Sequence, residues 1–96
     1  MSTYQQYVRV LSVAGSDSGG GAGIQADLKT ISSLGCFGMT AITAITAQNT
    51  QGVSDIHAIP PATLRAQMDA VLSDMGADAI KIGMLHDVDT VMTVAA

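Results

Sequence analysis

The densest concentration of chemically suggestive residues is the run Gly15-Ser16-Asp17-Ser18-Gly19-Gly20-Gly21-Ala22-Gly23. Glycines let a backbone approach a ligand closely, and a helix N-terminus presents N–H donors to an oxygen or a phosphate. Two nucleotide-binding patterns must be tested against it. A P-loop requires a lysine and then Ser or Thr after its last glycine. Gly15 and Gly20 have that separation, but Gly21 stands where the lysine belongs. Phosphate charge would go unmatched, and the pattern is rejected. Gly21-Ala22-Gly23-Ile24-Gln25-Ala26 fits a dinucleotide fingerprint, which also expects an acid about 20 residues on to hold the ribose. No acid occurs between Asp27 and Asp55, so that pattern is set aside too.

Two side chains near the run point to a polar ligand. Asp27 falls four residues before Ile31 and seven before Leu34, beside the apolar stripe of a helix. An acid early in a helix stabilises its dipole. A carboxylate turned toward a core also needs donors, which a ligand at the loop would supply, and we weigh this reading above the first. Gln48 follows an apolar strand, at the end where open α/β sheets place their ligands. Its amide sets a donor beside an acceptor and matches an aminopyrimidine edge. An ordinary polar turn through Asn49, Thr50, Gln51 and Gly52 accounts for it equally well.

The elements that must position these residues follow from periodicity. Tyr7 to Val13 is apolar and β-branched and runs straight into glycines, the pattern of a buried parallel strand. Ile24, Leu28, Ile31 and Leu34 recur with helical spacing until Gly35. Phe37 to Thr46 reads as a second strand covered on both faces, and Gly52 to Ile59 as a short one. Pro60 and Pro61 suit the first turn of a helix carried on by Leu64, Met68, Val71, Leu72 and Met75 to Gly76. Asp78 to Met84 forms another main strand. A last helix, capped by Asp87 and with Asp89 favourable to its dipole, carries apolar Val88, Val91, Met92 and Ala95. Strands alternating with helices imply βαβ units and a mostly parallel sheet. Residues 1–6 read as a loose polar tail.

Composition narrows the function classes. At 48% hydrophobic and 12% charged, the 96 residues are more apolar than a small isolated domain requires. They suit part of a larger fold, and the end of the chain reads as a truncation. The net charge is −4 and the four basic residues are scattered, which disfavours nucleic acid and membrane surfaces as partners. Met39 to Ala47 is too short to span a bilayer, and no secretory leader is visible. A cytoplasmic location is expected. Cys36, alone, reads as a small buried residue, and His57 and His86 lack metal-ligand spacing, so no metal site is expected. Lys81 is expected to pair with one of the aspartates.

The segment Val13–Lys29 strongly resembles the opening of bacterial hydroxymethylpyrimidine/phosphomethylpyrimidine kinases. Thr43-Ala44-Ile45-Thr46-Ala47-Gln48-Asn49-Thr50 and Lys81-Ile82-Gly83-Met84-Leu85 resemble two further signatures, in the same order and spacing. The resemblance covers the chain from about Val8 onward. It implies a ribokinase-like three-layer α/β/α fold, with residues 7–96 as the N-terminal, substrate-binding part. It implies two successive ATP-dependent phosphorylations that make the thiamine pyrimidine. By the resemblance Gln48 bonds the pyrimidine edge and Asp27 meets the aminopyrimidine or its hydroxymethyl group. Gly15 and Ala22 close against the ring, with Met84 an apolar wall or equally plain core. Catalytic residues and the sites for ATP and Mg2+ are expected in an absent C-terminal half, so this chain alone is expected to transfer nothing. A pyridoxal kinase of the same fold and a non-catalytic pyrimidine-binding module are the alternatives, and homodimerisation of the complete protein stays open.

Overall fold

In the computed structural model, residues 7–83, 85 and 88–95 are described. The chain alternates strand and helix as β1 (Arg9–Asp17), α1 (Gly23–Ser33), β2 (Phe37–Asn49), β3 (Gly52–Ala58), α2 (Pro61–Asp74), β4 (Ala79–Ile82) and α3 (Val88–Ala95). The four strands form one sheet in the order β3-β2-β1-β4. β1 pairs in parallel with β2 and with β4, while β3 returns antiparallel along the end of β2. The sheet is thus mostly parallel, as expected, with the glycine loop leaving its central strand.

Alternation along β1 separates the two faces. Leu11 and Val13 point one way and join Met39 and Ala41 of β2 and Leu64 of α2 in a buried cluster. Met68, Val71 and Val94 pack against that cluster, which puts α2 and α3 on this side. Ser12 points the other way, to Asp27 of α1, where Ile24 and Ile31 are also buried. Gly38 of β2 lets α1 approach: a Cβ there would lie 2.7 Å from Leu28 Cδ2. The result is a helix–sheet–helix sandwich with β1 at its centre.

Polar contacts close the places where the ladders stop. The Gln67 side chain of α2 accepts from the Ile42 N–H at 2.8 Å and donates to the Ile42 carbonyl at 2.9 Å, pairing backbone just beyond the reach of β3. Arg9 bonds both Asp78 carboxylate oxygens, at 3.1 and 3.0 Å, and also reaches the Met75 carbonyl. Those bonds, with the Arg9 N–H and charge, hold the Asp78 carboxyl down to about 2. This exposed clamp ties the start of β1 to the turn before β4.

Two expectations need correction. β1 continues to Asp17, past the predicted end at Val13, because the chain stays extended into the glycine run. β4 is four residues long and exposed throughout. Helix α3 buries Thr90 and packs Val94 inward, while Val91 and Met92 are 45% and 65% exposed. Positions four apart share a helix face, and the buried face carries 90 and 94. The tail at 1–6, Met84, His86 and Asp87 lie outside the described residues.

Leu64 is fully buried between α2 and the sheet, whereas Leu34 is 73% exposed at the end of α1. Leu64→Ala is expected to lower unfolding free energy by about 2–5 kcal/mol, from lost burial and the residual cavity. Leu34→Ala is expected to change it by less than about 0.5 kcal/mol. Urea unfolding of both variants checks the assignment of faces.

Candidate functional site

The glycine loop is built around an acid that the sequence reading passed over. Asp17, the last residue of β1, is 6% exposed. Its Oδ1 accepts the Gly19 N–H at 2.8 Å, and its Oδ2 accepts those of Gly21 and Ala22 at 3.0 and 2.9 Å. Ala22 is the N-cap of α1, extended at φ −144 and without a side-chain cap of its own. Asp17 therefore orders the turn that launches the helix. Gln25 fastens the other side: its Oε1 accepts the Asp17 N–H at 2.8 Å and its Nε2 donates to Ser16 Oγ at 2.8 Å. Gly23 sits at φ +60, and a Cβ there would collide with the Gly15 carbonyl oxygen. Glycine is required at that crossing of loop and strand. Lys29 Nζ closes the outside, donating to the Gly20 carbonyl at 2.8 Å.

The end of β2 is bolted to the same loop. Ser18 Oγ donates to the Gln48 carbonyl and accepts the Gln48 N–H, both at 2.7 Å, and the Ser18 N–H bonds the Thr46 carbonyl. Two oxygens compete for the Thr46 hydroxyl: the Ser16 carbonyl at 2.8 Å and Gln48 Oε1 at 3.2 Å. One proton serves the closer oxygen first, so the Gln48 backbone is firmly held while its amide is only weakly engaged. Gln48, with Ser18, Asn49, Val53 and Ser54, lines an open hollow of about 510 Å³ at the β2–β3 hairpin.

Asp27 lies deeper. Its carboxylate accepts from Ser12 Oγ at 2.7 Å and from Lys81 Nζ at 3.0 Å to both oxygens, joining α1 to β1 and β4. The donors that a core-facing carboxylate needs thus come from the protein, and Lys81 pairs with an aspartate as expected. Burial pushes the Asp27 carboxyl upward, but the bonds from Ser12 and Lys81 and the Lys81 charge outweigh it and leave it lowered. Asp27 stands four residues beyond Gly23, about 6 Å along the helix, and no described contact joins it to Gln48. Gly15 and Ala22 flank the loop. Met84 lies outside the described residues.

The remaining candidates stay apart from this region. Cys36 is a half-buried free thiol and His57 is exposed on β3. Among the described residues no group of three or more His, Cys, Asp or Glu is placed to hold a metal ion. The loop does not suit a triphosphate, because Asp17 holds its amides and Gly20 and Asp27 engage Lys29 and Lys81. No helix among the described residues is long and apolar enough to cross a membrane.

Sequence reasoning missed Asp17, Ser12, Ser18 and Gln25. The signal for Asp17 was present: an aspartate followed by backbone donors at two, four and five residues is Asx-turn chemistry.

Comparison with known proteins supplies the context. The family profile described as phosphomethylpyrimidine kinase matches residues 17–96. The chain is 60% identical over 87 residues to the thiamine biosynthesis bifunctional protein ThiED of Geobacter sulfurreducens, covering 91% of this chain and 18% of that protein. It is 58% identical over 87 residues to the hydroxymethylpyrimidine/phosphomethylpyrimidine kinase of Bacillus subtilis, covering 91% and 32%. The chain therefore spans a third or less of the length of these relatives. Among solved structures, phosphomethylpyrimidine kinase from Clostridium difficile superposes with a TM-score of 0.88 at 47% identity, over 91% of this chain and 38% of that one. Pyridoxal kinase from Staphylococcus aureus, in complex with AMP-PCP and pyridoxal, gives 0.76 at 44%, over 84% and 30%.

The ion pair makes a signed prediction. Asp27 has a lowered folded value, so its contribution to stability is present above its ordinary value of 3.8 and is lost as pH falls through the lower folded one. Lys81→Met leaves burial opposed by Ser12 alone and moves the Asp27 titration to higher pH. Carboxyl NMR titration of both proteins checks this; an unmoved Asp27 midpoint contradicts the geometry.

Proposed function

The chain belongs to the phosphomethylpyrimidine kinase family, and from that premise we propose that the whole protein makes the thiamine pyrimidine by two phosphoryl transfers from ATP. The first acceptor is the hydroxymethyl oxygen of 4-amino-5-hydroxymethyl-2-methylpyrimidine; the second is the phosphate so formed. Residues 7–96 bind and orient the ring. The groups that handle Mg-ATP and the reacting phosphoryl lie in parts of the protein beyond this chain, which alone transfers nothing. The protein works in the cytoplasm, with no nucleic-acid or membrane partner, and homodimerisation is compatible with this reading.

One observation carries the assignment of the ring site. Gln48 has a backbone locked to the glycine loop through Ser18 and a side-chain amide left mostly unspent at an open hollow. A held backbone with a weakly engaged amide suits an edge-reading residue, because the residue is placed before the ligand arrives and its amide is left to bond it. Gly15 supports it. A Cβ at that position would meet the Ala44 carbonyl oxygen at 3.5 Å, an ordinary contact, so the fold itself does not require glycine there. A ring closing against Gly15 and Ala22 does. Asp27 meets the amino or hydroxymethyl group through lone pairs that Ser12 and Lys81 leave over.

A second reading, phosphorylation of a pyridoxal-type alcohol, is favoured by the likeness to the Staphylococcus aureus pyridoxal kinase. The two are separated by comparing kcat/KM on both alcohols. ADP release with Mg-ATP is expected to be faster on the hydroxymethylpyrimidine with the full-length protein, and absent with the 96-residue chain alone. Gln48→Ala in the full-length protein is expected to raise KM for the pyrimidine about tenfold or more, with a smaller change in kcat. Turnover by the short chain, or an unchanged KM in the variant, contradicts the proposal.

A further inference from the structure

Phosphate-cradling loops work because successive backbone N–H groups converge on one point and leave it open to an anion. The convergence exists here, at Gly19, Gly21 and Ala22, and the chain's own Asp17 carboxylate stands at that point, bonded at 2.8–3.0 Å. Its burial and the Gln25 bond to its N–H hold it there from both sides. Bonds from N–H groups to a carboxylate are about twice as strong as neutral ones. The loop carried by these bonds also packs tightly on β2: a Cβ at Gly19 would lie 3.0 Å from the Gln48 carbonyl oxygen.

We propose that Asp17 is a specificity-determining positioning residue, a resident anion that fills the receptor made by the glycine loop. It does two things. It closes the loop to phosphate groups, since a second anion would meet both an occupied receptor and a like charge. It also sets the loop against the Gln48 end of β2. The region then takes the uncharged ring end of a ligand and turns a phosphate on that ligand away from the loop. The identity of the ligand rests on the function proposed above; the occupancy of the loop by Asp17 does not.

The test uses the full-length protein with two substitutions. Asp17→Asn keeps the size and one acceptor, but whichever way its amide turns an NH2 donor faces a loop N–H group. It is expected to raise KM for the pyrimidine about tenfold or more and to change kcat less. Asp17→Ala opens a space that formate fits. Formate is expected to raise the melting temperature of Asp17→Ala saturably and to lower its KM, while chloride at equal ionic strength does neither. Asp17→Asn, whose amide fills the space, is expected not to respond to formate. A wild-type KM in Asp17→Asn overturns the proposal, as does an equal response of Asp17→Ala to formate and chloride. If Asp17→Ala is insoluble, its refolding yield in formate against chloride gives the same comparison. Should the protein phosphorylate neither pyrimidine nor pyridoxal, the melting comparison still decides the role of Asp17, so the two readings fail separately.

Discussion

The Asp17 carboxylate, buried where the central strand ends, gathers the N–H groups of Gly19, Gly21 and Ala22 onto its two oxygens, and the geometry around the candidate site depends on that gathering. A run of five glycines within nine residues has little conformational preference of its own and loses much entropy on ordering. Charge-assisted bonds to one buried acceptor offset that cost and select one path. The path places Ala22 as the N-cap of α1 and brings Ser18 against β2. Ser18 in turn fixes the Gln48 backbone from both its N–H and its carbonyl. An acid in a glycine loop thus acts, through two steps of hydrogen bonding, on the residue best placed to read a ligand.

The sheet supplies the frame for this chain of contacts. β1 lies between β2 and β4, and alternation along it sends Leu11 and Val13 to the α2 side and Ser12 to the α1 side. The apolar side holds the core. The polar side holds the Ser12–Asp27–Lys81 cluster, which pins α1 across two strands. The helix that carries the glycine loop is therefore anchored one turn below its N-terminus, while its upper end is set by Asp17. Anchors at two levels keep the loop in place without a side-chain cap on Ala22.

Much of this was legible in the sequence, and the parts that were not share a cause. The order of strands and helices followed from local apolar spacing, and α2 opens at Pro61 as expected. The glycine loop, Asp27 and Gln48 stood out by residue type and place. Lys81 was expected to pair with an aspartate, but the partner, 54 residues away, is fixed only when β4 lies beside β1. Asp17 read as one polar residue in a polar loop because its role depends on three backbone groups that spacing alone does not bring together. Helix α3 carries apolar residues on more than one face, so its pattern did not single out Thr90 and Val94 as the inward pair. The signals that failed were those that depend on tertiary contact.

The most direct test of the central claim is a crystal structure of the full-length protein with 4-amino-5-hydroxymethyl-2-methylpyrimidine bound. The account predicts the ring beside the glycine loop, its edge on the Gln48 amide, with the Gly19, Gly21 and Ala22 amides still on Asp17. A ring bound away from Gln48, or a phosphate on those three amides with Asp17 displaced, would contradict it.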